Sequence, residues 1–334
     1  MFDHFPPELD RQRDLTTLYH KVLGIPRQGD TDLKRPRWRF VLLGAATLMV
    51  LGLGIAWRAA IQTGRSVPDE PFRVVGNLYY VGATGVSSFL LTGPEGHVLI
   101  DGGYPETAPL IINSIAKLGF DIADVGILLN SHAHSDHAGG LRALQEASGA
   151  ELWVSEADVE VMSSGRHSRD RALGPIRFVG LLGLGRFPAP RIDRRFEDGE
   201  IVRLGPLELT AHVTAGHTRG CTSWAFPVVH EDRELLAVNV CSLRLFPFVS
   251  LVEPEAYPGI RSDFERSFST LRELPADIFL ASHTDWFGMR RKLCERGDTP
   301  GAVDPFIDRD GYLAFIDEAE NRFREALEEQ QQRK

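Results

Sequence analysis

The sequence predicts an α/β fold in which helices cover β-sheets, with one transmembrane helix ahead of it. From Val74 to the C-terminus, strand patterns alternate with helical patterns, as expected when sheets are sandwiched between helices. Upstream lies a long apolar run, FVLLGAATLMVLGLGIAW. The 334 residues are 43% hydrophobic and 25% charged, which suits one large globular domain or two small ones.

The apolar run covers residues 40–57 and contains no charged residue. As a helix it would span about 27 Å, enough for the hydrocarbon core of a bilayer with little tilt. Trp38 and Trp57 stand near its two ends, where interfacial aromatic rings are common. A cleaved signal peptide is the alternative, but the run is long, begins late and lacks a small-residue cleavage site. We therefore expect an uncleaved membrane helix over residues 38–58.

Basic residues predict the orientation of this helix. Four lie within six residues before the run and three within sixteen residues after it, namely Lys34, Arg35, Arg37 and Arg39, then Arg58, Arg65 and Arg73. The positive-inside rule therefore puts a short tail, residues 1–37, in the cytoplasm and the long C-terminal portion outside. A linker over residues 59–73 would lead to one domain over residues 74–334.

Strands and helices are predicted in order along this domain. Strands are expected in VVGNLYYVG, VSSFLLTG, HVLIDGG, VGILLNS, ELWVS, IVRLGPLELTAHV, CTSWAFPVV, ELLAVNV and DIFLAS. Helices are expected in PETAPLIINSIAKLG, where Pro105 suits the first turn and Gly119 ends the helix, and in GLRALQEASG, IRSDFERSFSTLREL and residues 312–327. Residues 160–190 are rich in Gly, Pro and Arg and predict a long loop.

Charge and cysteine content exclude two classes of protein. The net charge of −9 offers no basic surface, so we expect no nucleic-acid partner. The cysteines, Cys221, Cys241 and Cys294, are too few for a disulfide-rich scaffold. Their odd number leaves at least one thiol free in a monomer.

Potential metal ligands are concentrated in SHAHSDHAGG, directly after the apolar strand VGILLNS. Alternate residues of an extended loop point the same way, so His132 and His134 can bind one ion together. Asp136 and His137 come as the chain turns into a helix and can reach a second ion nearby. Imidazole and carboxylate ligands suit zinc, and open α/β sheets place ligand sites at the carboxyl ends of strands.

Two further histidines have the same context. His217 in TAGHTRGC and His283 in FLASHTDW each follow a predicted strand. The other six histidines lack this context, and we interpret them as non-ligands: His4, His20, His97, His167, His212 and His230.

These three segments resemble the metal-binding segments of the metallo-β-lactamase superfamily. The stretch GNLYYVGATGVSSFLLTGPEGHVLIDGGYPETAPLI resembles the third subclass of class B β-lactamases more closely than other branches. The resemblance extends from about Val74 to the C-terminus and implies a four-layer αβ/βα sandwich with two zinc ions between its halves. It assigns the first zinc to His132, His134 and His217, the second to Asp136, His137 and His283, and the orientation of a ligand histidine to Asp101.

Two close cations can share one water and lower its pKa, which would yield a zinc-bound hydroxide that attacks the amide of a β-lactam. The first zinc would polarise the attacked carbonyl, and the second would stabilise the departing nitrogen and bind the substrate carboxylate. Asp136 would hold the hydroxide in line. Because β-lactam drugs act outside the inner membrane, we expect the catalytic domain in the periplasm, anchored to the inner membrane by residues 38–58.

The segment NVCSLRL departs from the family pattern. Ser242 matches a serine that meets the substrate carboxylate, but Arg244 stands where another hydroxyl is often found. Arg244 either binds that carboxylate in bidentate fashion or points to solvent. Cys294 lacks the partner that some members of the subclass have near the C-terminus. The resemblance implies that Cys241 is not a zinc ligand, because members of the family bind the second zinc either with a histidine at the position of His137 or with a cysteine. Cys241 would instead pack in a strand or pair with Cys221.

Two alternative functions stay open at this point. Another metallo-hydrolase of the superfamily, acting on a lactone or a thioester, shares the same ligands. Asn239 and Cys241, standing where other branches have a bridging aspartate, favour the β-lactamase over it. A catalytically silent, membrane-tethered binding protein is the second alternative, and the intact set of six ligands argues against it.

Overall fold

A computed structural model describes residues 47–49, 52, 67–83, 85–166, 185–297 and 304–333. The chain divides into two units, residues 1–59 and residues 60–334. Residues 47–49 and 52 are helical, and the rest of the predicted membrane helix and the tail over residues 1–37 lie outside the described residues. Among the residues that are described, no helix combines the length and apolar character needed to cross a membrane.

The first sheet has seven strands that lie side by side in chain order. They are β1 Phe72–Val75, β2 Leu78–Tyr80, β3 Phe89–Gly93, β4 Gly96–Ile100, β5 Val125–Leu129, β6 Glu151–Ser155 and β7 Arg194–Phe196. Strands β1 to β4 pair antiparallel, and β4 to β7 pair parallel. The carboxyl ends of the parallel strands therefore meet at one edge of the sheet.

The second sheet has five strands in the order β12-β11-β10-β9-β8. They are β8 Ile201–Leu204, β9 Leu207–Val213, β10 Thr222–His230, β11 Arg233–Val240 and β12 Ile278–Ala281. Strands β8 to β11 pair antiparallel, whereas β12 runs parallel to β11. The described helices are α1 Ala108–Lys117, α2 Leu141–Ser148, α3 Val159–Ser164, α4 Ile260–Glu273, α5 Met289–Glu295 and α6 Arg309–Gln332.

The helices and the two sheets form four layers, which pack around two apolar cores. Side chains alternate across a strand, so Leu99 of β4 faces one core and its neighbour Ile100 faces the other. The first core joins the outer face of the seven-stranded sheet to α1 and α2, through residues such as Ile115. The second core lies between the sheets and continues to α4 and α6, where Phe264 packs on Phe323 at 5.3 Å between ring centroids. The predicted αβ/βα sandwich is confirmed.

Two segments predicted as single strands are hairpins. VVGNLYYVG turns at Gly76 and IVRLGPLELTAHV turns at Gly205, both of which have a positive φ, 54° and 55°. Glycine adopts this backbone conformation without steric cost, so a strand pattern can continue through it although the chain reverses. Strand β1 begins at Phe72, inside the predicted linker.

Three short elements are absent from the sequence prediction: β7, α3 and α5. Helix α3 occupies the start of the predicted loop 160–190, whose residues 167–184 lie outside the described ones. Each of these elements has seven residues or fewer, too short for a helical or strand period to be recognised.

Candidate metal centre

The six predicted ligands come from three loops that follow strands. The loop after β5 carries His132, His134, Asp136 and His137, the loop after β9 carries His217, and the loop after β12 carries His283. They fall into two groups, and within each group the potential ligand atoms lie within 4.8 Å of one another. The groups are His132, His134 and His217, and Asp136, His137 and His283.

The first group consists of three imidazoles. His217 Nε2 lies 3.2 Å from His134 Nδ1, and the His132 ring lies at centroid distances of 4.7 Å and 4.9 Å from the rings of His134 and His217. His132 Nε2 is buried and has no hydrogen-bond partner among the described residues. Because a buried polar nitrogen is costly without a partner, this convergence fits a bound cation.

The second group combines two imidazoles with a carboxylate. His137 Nε2 and His283 Nε2 lie 3.3 Å apart, and Asp136 Oδ2 lies 3.4 Å from the first and 3.6 Å from the second. Three protein ligands of N and O type are what a catalytic zinc site has, with room left for water and substrate.

The far side of each ring is held by another group. His217 Nδ1–H donates to the carbonyl oxygen of Arg244 at 2.8 Å, and His283 Nδ1–H donates to that of Gly85 at 2.9 Å. His137 Nδ1 lies 3.1 Å from Asp101 Oδ2. These contacts place the Nδ1–H of each of the three rings on an outer acceptor and turn its Nε2 toward the group, as a metal ligand requires.

Asp101 holds both His137 and the backbone of the ligand loop. It is buried, has a positive φ of 64°, and accepts hydrogen bonds from the backbone N–H of Ser131 at 2.6 Å and from Asn130 Nδ2 at 3.1 Å. The Ser131 hydroxyl donates to the other carboxylate oxygen and also lies 3.1 Å from His132 Nδ1. One carboxylate therefore positions residues of both groups.

Asp158 is a site residue that the sequence analysis missed. Its buried carboxylate accepts the Ala133 backbone N–H at 2.9 Å, between His132 and His134. A Cβ on Gly220 would lie 2.4 Å from Asp158 Cγ, so the loop carrying His217 packs directly on this carboxylate. Asp158 follows β6 and belongs to no motif, so only the fold brings it here.

Burial and neighbouring charges set the protonation of the ligands. Burial holds the pKa of His132 well below its usual value, with repulsion from the neighbouring histidines adding to it, and lowers the pKa of His217 to about 4. Burial and then His137 also lower the pKa of His283. These imidazoles are neutral at pH 7, which is the form that binds metal.

His137 and Asp136 behave differently. Burial alone would lower the pKa of His137, but Asp136 and Asp101 raise it to about 10. Burial alone would raise the pKa of Asp136, but its attraction to His137 and the neighbouring histidines holds it far below the usual range. The second group therefore attracts positive charge, and a metal ion would replace the proton on His137.

The two residues predicted to contact substrate lie beside the first group. Ser242 is buried, and its Oγ accepts the Arg244 backbone N–H at 3.3 Å. The Arg244 side chain is exposed, with Cζ 5.4 Å from the centroid of the Phe246 ring. The backbone of Arg244 thus orients His217, while its guanidinium faces outward.

The cysteines follow one of the two expected arrangements. Cys221 and Cys241 form a disulfide, and Cys294 is free and exposed. Cys241 Sγ lies 3.6 Å from His132 Nδ1, so the disulfide packs against the first group. Of the predicted non-ligands, His97, His212 and His230 lie outside both groups, and His4, His20 and His167 are outside the described residues.

Comparison with known proteins identifies the family. The family model of the metallo-β-lactamase superfamily matches residues 81–230. The FEZ-1 metallo-β-lactamase from Legionella gormanii is 36% identical with a TM-score of 0.73, covering 80% of this chain and 98% of its own. BJP-1, a subclass B3 metallo-β-lactamase of Bradyrhizobium japonicum, is 32% identical with a TM-score of 0.73, covering 80% and 97%. The chain belongs to the metallo-β-lactamase superfamily.

Curated relatives of another name match shorter segments. Hydroxyacylglutathione hydrolases of Jannaschia sp. (strain CCS1) and Rhodopseudomonas palustris (strain BisB5) are each 27% identical, over 140 and 192 residues. These segments are 42% and 58% of this chain, and the chain spans 43% and 59% of the relatives' length.

Proposed function

We propose that this protein is a dinuclear zinc β-lactamase of subclass B3, which hydrolyses the amide bond of β-lactam antibiotics. The observation that carries the proposal is the pair of complete ligand groups, in a chain that is 36% identical to the FEZ-1 enzyme along 98% of that enzyme. His132, His134 and His217 would hold one zinc ion, and Asp136, His137 and His283 the other.

Bound zinc would supply a water of lowered pKa and a Lewis acid for the attacked carbonyl. The chain's own residues would orient the reactants. Asp136 Oδ2, at the edge of the second group, would accept a hydrogen bond from the attacking water and hold it in line with the carbonyl. Asp101 would keep His137 in its tautomer, and Ser242 and Arg244 would meet the substrate carboxylate.

We also propose that residues 38–58 anchor the protein in the inner membrane, with residues 1–37 in the cytoplasm and the catalytic domain in the periplasm. The apolar run and its basic N-terminal flank support this. Protease added to spheroplasts should digest the domain and spare the tail. Recovery of a soluble protein whose mature N-terminus lies near residue 60 would contradict the anchor.

A thioester hydrolase is the second candidate, favoured by the two hydroxyacylglutathione hydrolases at 27% identity. Against it, the neutral Asn239 at the end of β11 and the disulfide-bonded Cys241 stand where other branches have a bridging carboxylate. The β-lactamase therefore remains the stronger proposal.

The test is hydrolysis of a panel by the full-length protein: penicillins, cephalosporins, carbapenems, a lactone and a glutathione thioester. We expect β-lactam turnover that a chelator abolishes and added zinc restores. Turnover of the thioester or lactone alone would replace the proposal with the other candidate. A protein that binds two zinc ions and turns over nothing would be the silent member.

A further inference from the structure

A cavity of about 700 Å³ lies beside the metal centre, outside the two ligand groups. Its walls are the loop 243–247 after β11, the segment 285–286 after β12 and one face of α6. A volume of this size suits a small-molecule group, since ligand sites commonly measure about 300–1,000 Å³.

Aromatic rings join this cavity to both groups of ligands. Phe246 lies at 5.2 Å between ring centroids from His217, and Trp286 lies at 4.3 Å from His283. Both rings also line the cavity, and Trp286 stacks at 6.1 Å on Phe315 of α6. A single aromatic ring therefore separates the cavity from one histidine of each ligand group.

Charged side chains of both signs line the cavity, and four of them form ion pairs. Along α6, Glu318 pairs with Arg322, and Glu329 pairs with Arg333 at 3.1 Å. Arg244, Asp285 and Glu325 also line the wall, so charges of both signs lie beside the aromatic rings and the small side chains of Ala319 and Ala326.

We propose that this cavity is a subsite that receives an uncharged aromatic substituent of the substrate while the β-lactam ring lies at the metal centre. The proposal rests on the proposed function and adds the substrate class that the enzyme prefers. Contact with the Trp286 and Phe246 rings would hold the aromatic substituent, and burial of its apolar surface would raise kcat/KM for substrates that carry it.

Two matched pairs of substrates test it with the full-length protein. 6-Aminopenicillanic acid and benzylpenicillin differ by an aromatic acyl group. The second pair is two cephalosporins that share the same 7-acyl group, one with a methyl group and the other with a heteroaromatic thiomethyl group at position 3. We expect the ring to raise kcat/KM about tenfold in at least one pair, a fair effect for partial burial of one ring. No preference for the ring in either pair would overturn the subsite.

Cavity-filling variants locate the effect. Ala319 and Ala326 lie on the cavity face of α6 and belong to neither group of metal ligands, so Ala319→Trp and Ala326→Trp would fill the cavity. Ala314→Trp, at an exposed position on the same helix, is the matched control. We expect the first two to remove most of the ring preference, with unchanged zinc content and unchanged turnover of the substrate without a ring. The control should keep the preference.

The outcomes separate the two proposals. If no β-lactam is hydrolysed, the proposed function fails. If the β-lactams are hydrolysed but the ring preference survives in whichever of Ala319→Trp and Ala326→Trp keeps the wild-type melting temperature, only the subsite fails. Because the wild-type preference is measured without any variant, its absence would overturn the subsite even if both variants misfold.

Discussion

The two groups of metal ligands differ in charge and in what holds them. The first is three neutral imidazoles, and burial lowers the pKa of both His132 and His217. The second contains the carboxylate of Asp136 and is backed by another carboxylate, Asp101, behind His137. Geometry and burial would therefore hold a cation in the first group, whereas negative charge as well would hold one in the second. Single charge removals should therefore separate the two sites.

The largest effect is expected from Asp136→Ala. It removes the one charged ligand, so the second zinc should be lost while the first remains, and kcat/KM should fall by at least about 1,000-fold, or several kcal/mol of transition-state stabilisation. Zinc content by mass spectrometry and β-lactam turnover measure this. Ser135→Ala, in the same loop, should keep both ions. Full activity in Asp136→Ala would refute the mechanism.

A smaller effect is expected from Asp101→Asn, which keeps the size of the side chain and removes the charge behind His137. Loss of such a supporting carboxylate typically weakens metal binding about 10–100-fold, and here the second ion should be affected more than the first. Competition with a chelator gives both affinities. Asp198→Asn is the control, since that exposed carboxylate accepts the Val213 backbone N–H and belongs to neither ligand group. Equal weakening of both ions would show that Asp101 acts on the whole loop.

The pH dependence of metal binding should differ between the groups. At pH 7 His137, whose pKa is raised to about 10, carries a proton that the metal must displace, whereas His217, whose pKa is lowered to about 4, carries none. From pH 6 to 8 the affinity of the second ion should therefore rise by up to about tenfold per pH unit, and that of the first should change little. Calorimetry in buffers of different ionisation enthalpy counts the protons released. Equal release from both groups would contradict this difference.

Gly220→Ala should disturb the first group. The added Cβ would meet Asp158, and we expect a loss of about 1–3 kcal/mol of stability with weaker binding of the first ion, because His217 is displaced. Chemical denaturation and zinc titration measure the two effects. In an Asp158→Ala background, Gly220→Ala should lower the stability by less, since the side chain that the added Cβ would meet is no longer there. Full additivity would mean that the two residues are not coupled.

The smallest effect on the metal centre is expected from Cys241→Ser. A cysteine in a disulfide does not bind zinc, so the variant should keep two zinc ions and most of the activity. Loss of the Cys221–Cys241 disulfide should lower the free energy of unfolding by about 3 kcal/mol. His137→Ala should lose the second ion under the same conditions. Loss of the second zinc in Cys241→Ser would make the assignment to subclass B3 wrong.

Local patterns account for the parts of this protein that the sequence predicted. The apolar run VGILL predicts a buried strand, and the dense spacing of His132, His134, Asp136 and His137 predicts metal chemistry at its carboxyl end, because each signal lies within a few neighbouring residues. Longer helices such as α4 and α6 were found for the same reason. The short strand β7 and helices α3 and α5 carry too few residues for a period, and the turns at Gly76 and Gly205 were hidden inside continuous strand patterns.

The fold class, the metal-binding loops and the candidate ligands could thus be predicted from the sequence, since backbone periodicity and ligand chemistry are local properties. Tertiary structure alone decided which distant residues support them. It brings Asp158 against both Ala133 and Gly220, joins Cys221 to Cys241, and encloses the aromatic cavity between Phe246 and Trp286. These contacts join segments far apart in the chain, and they form only because packing the two sheets face to face buries the apolar surface between them.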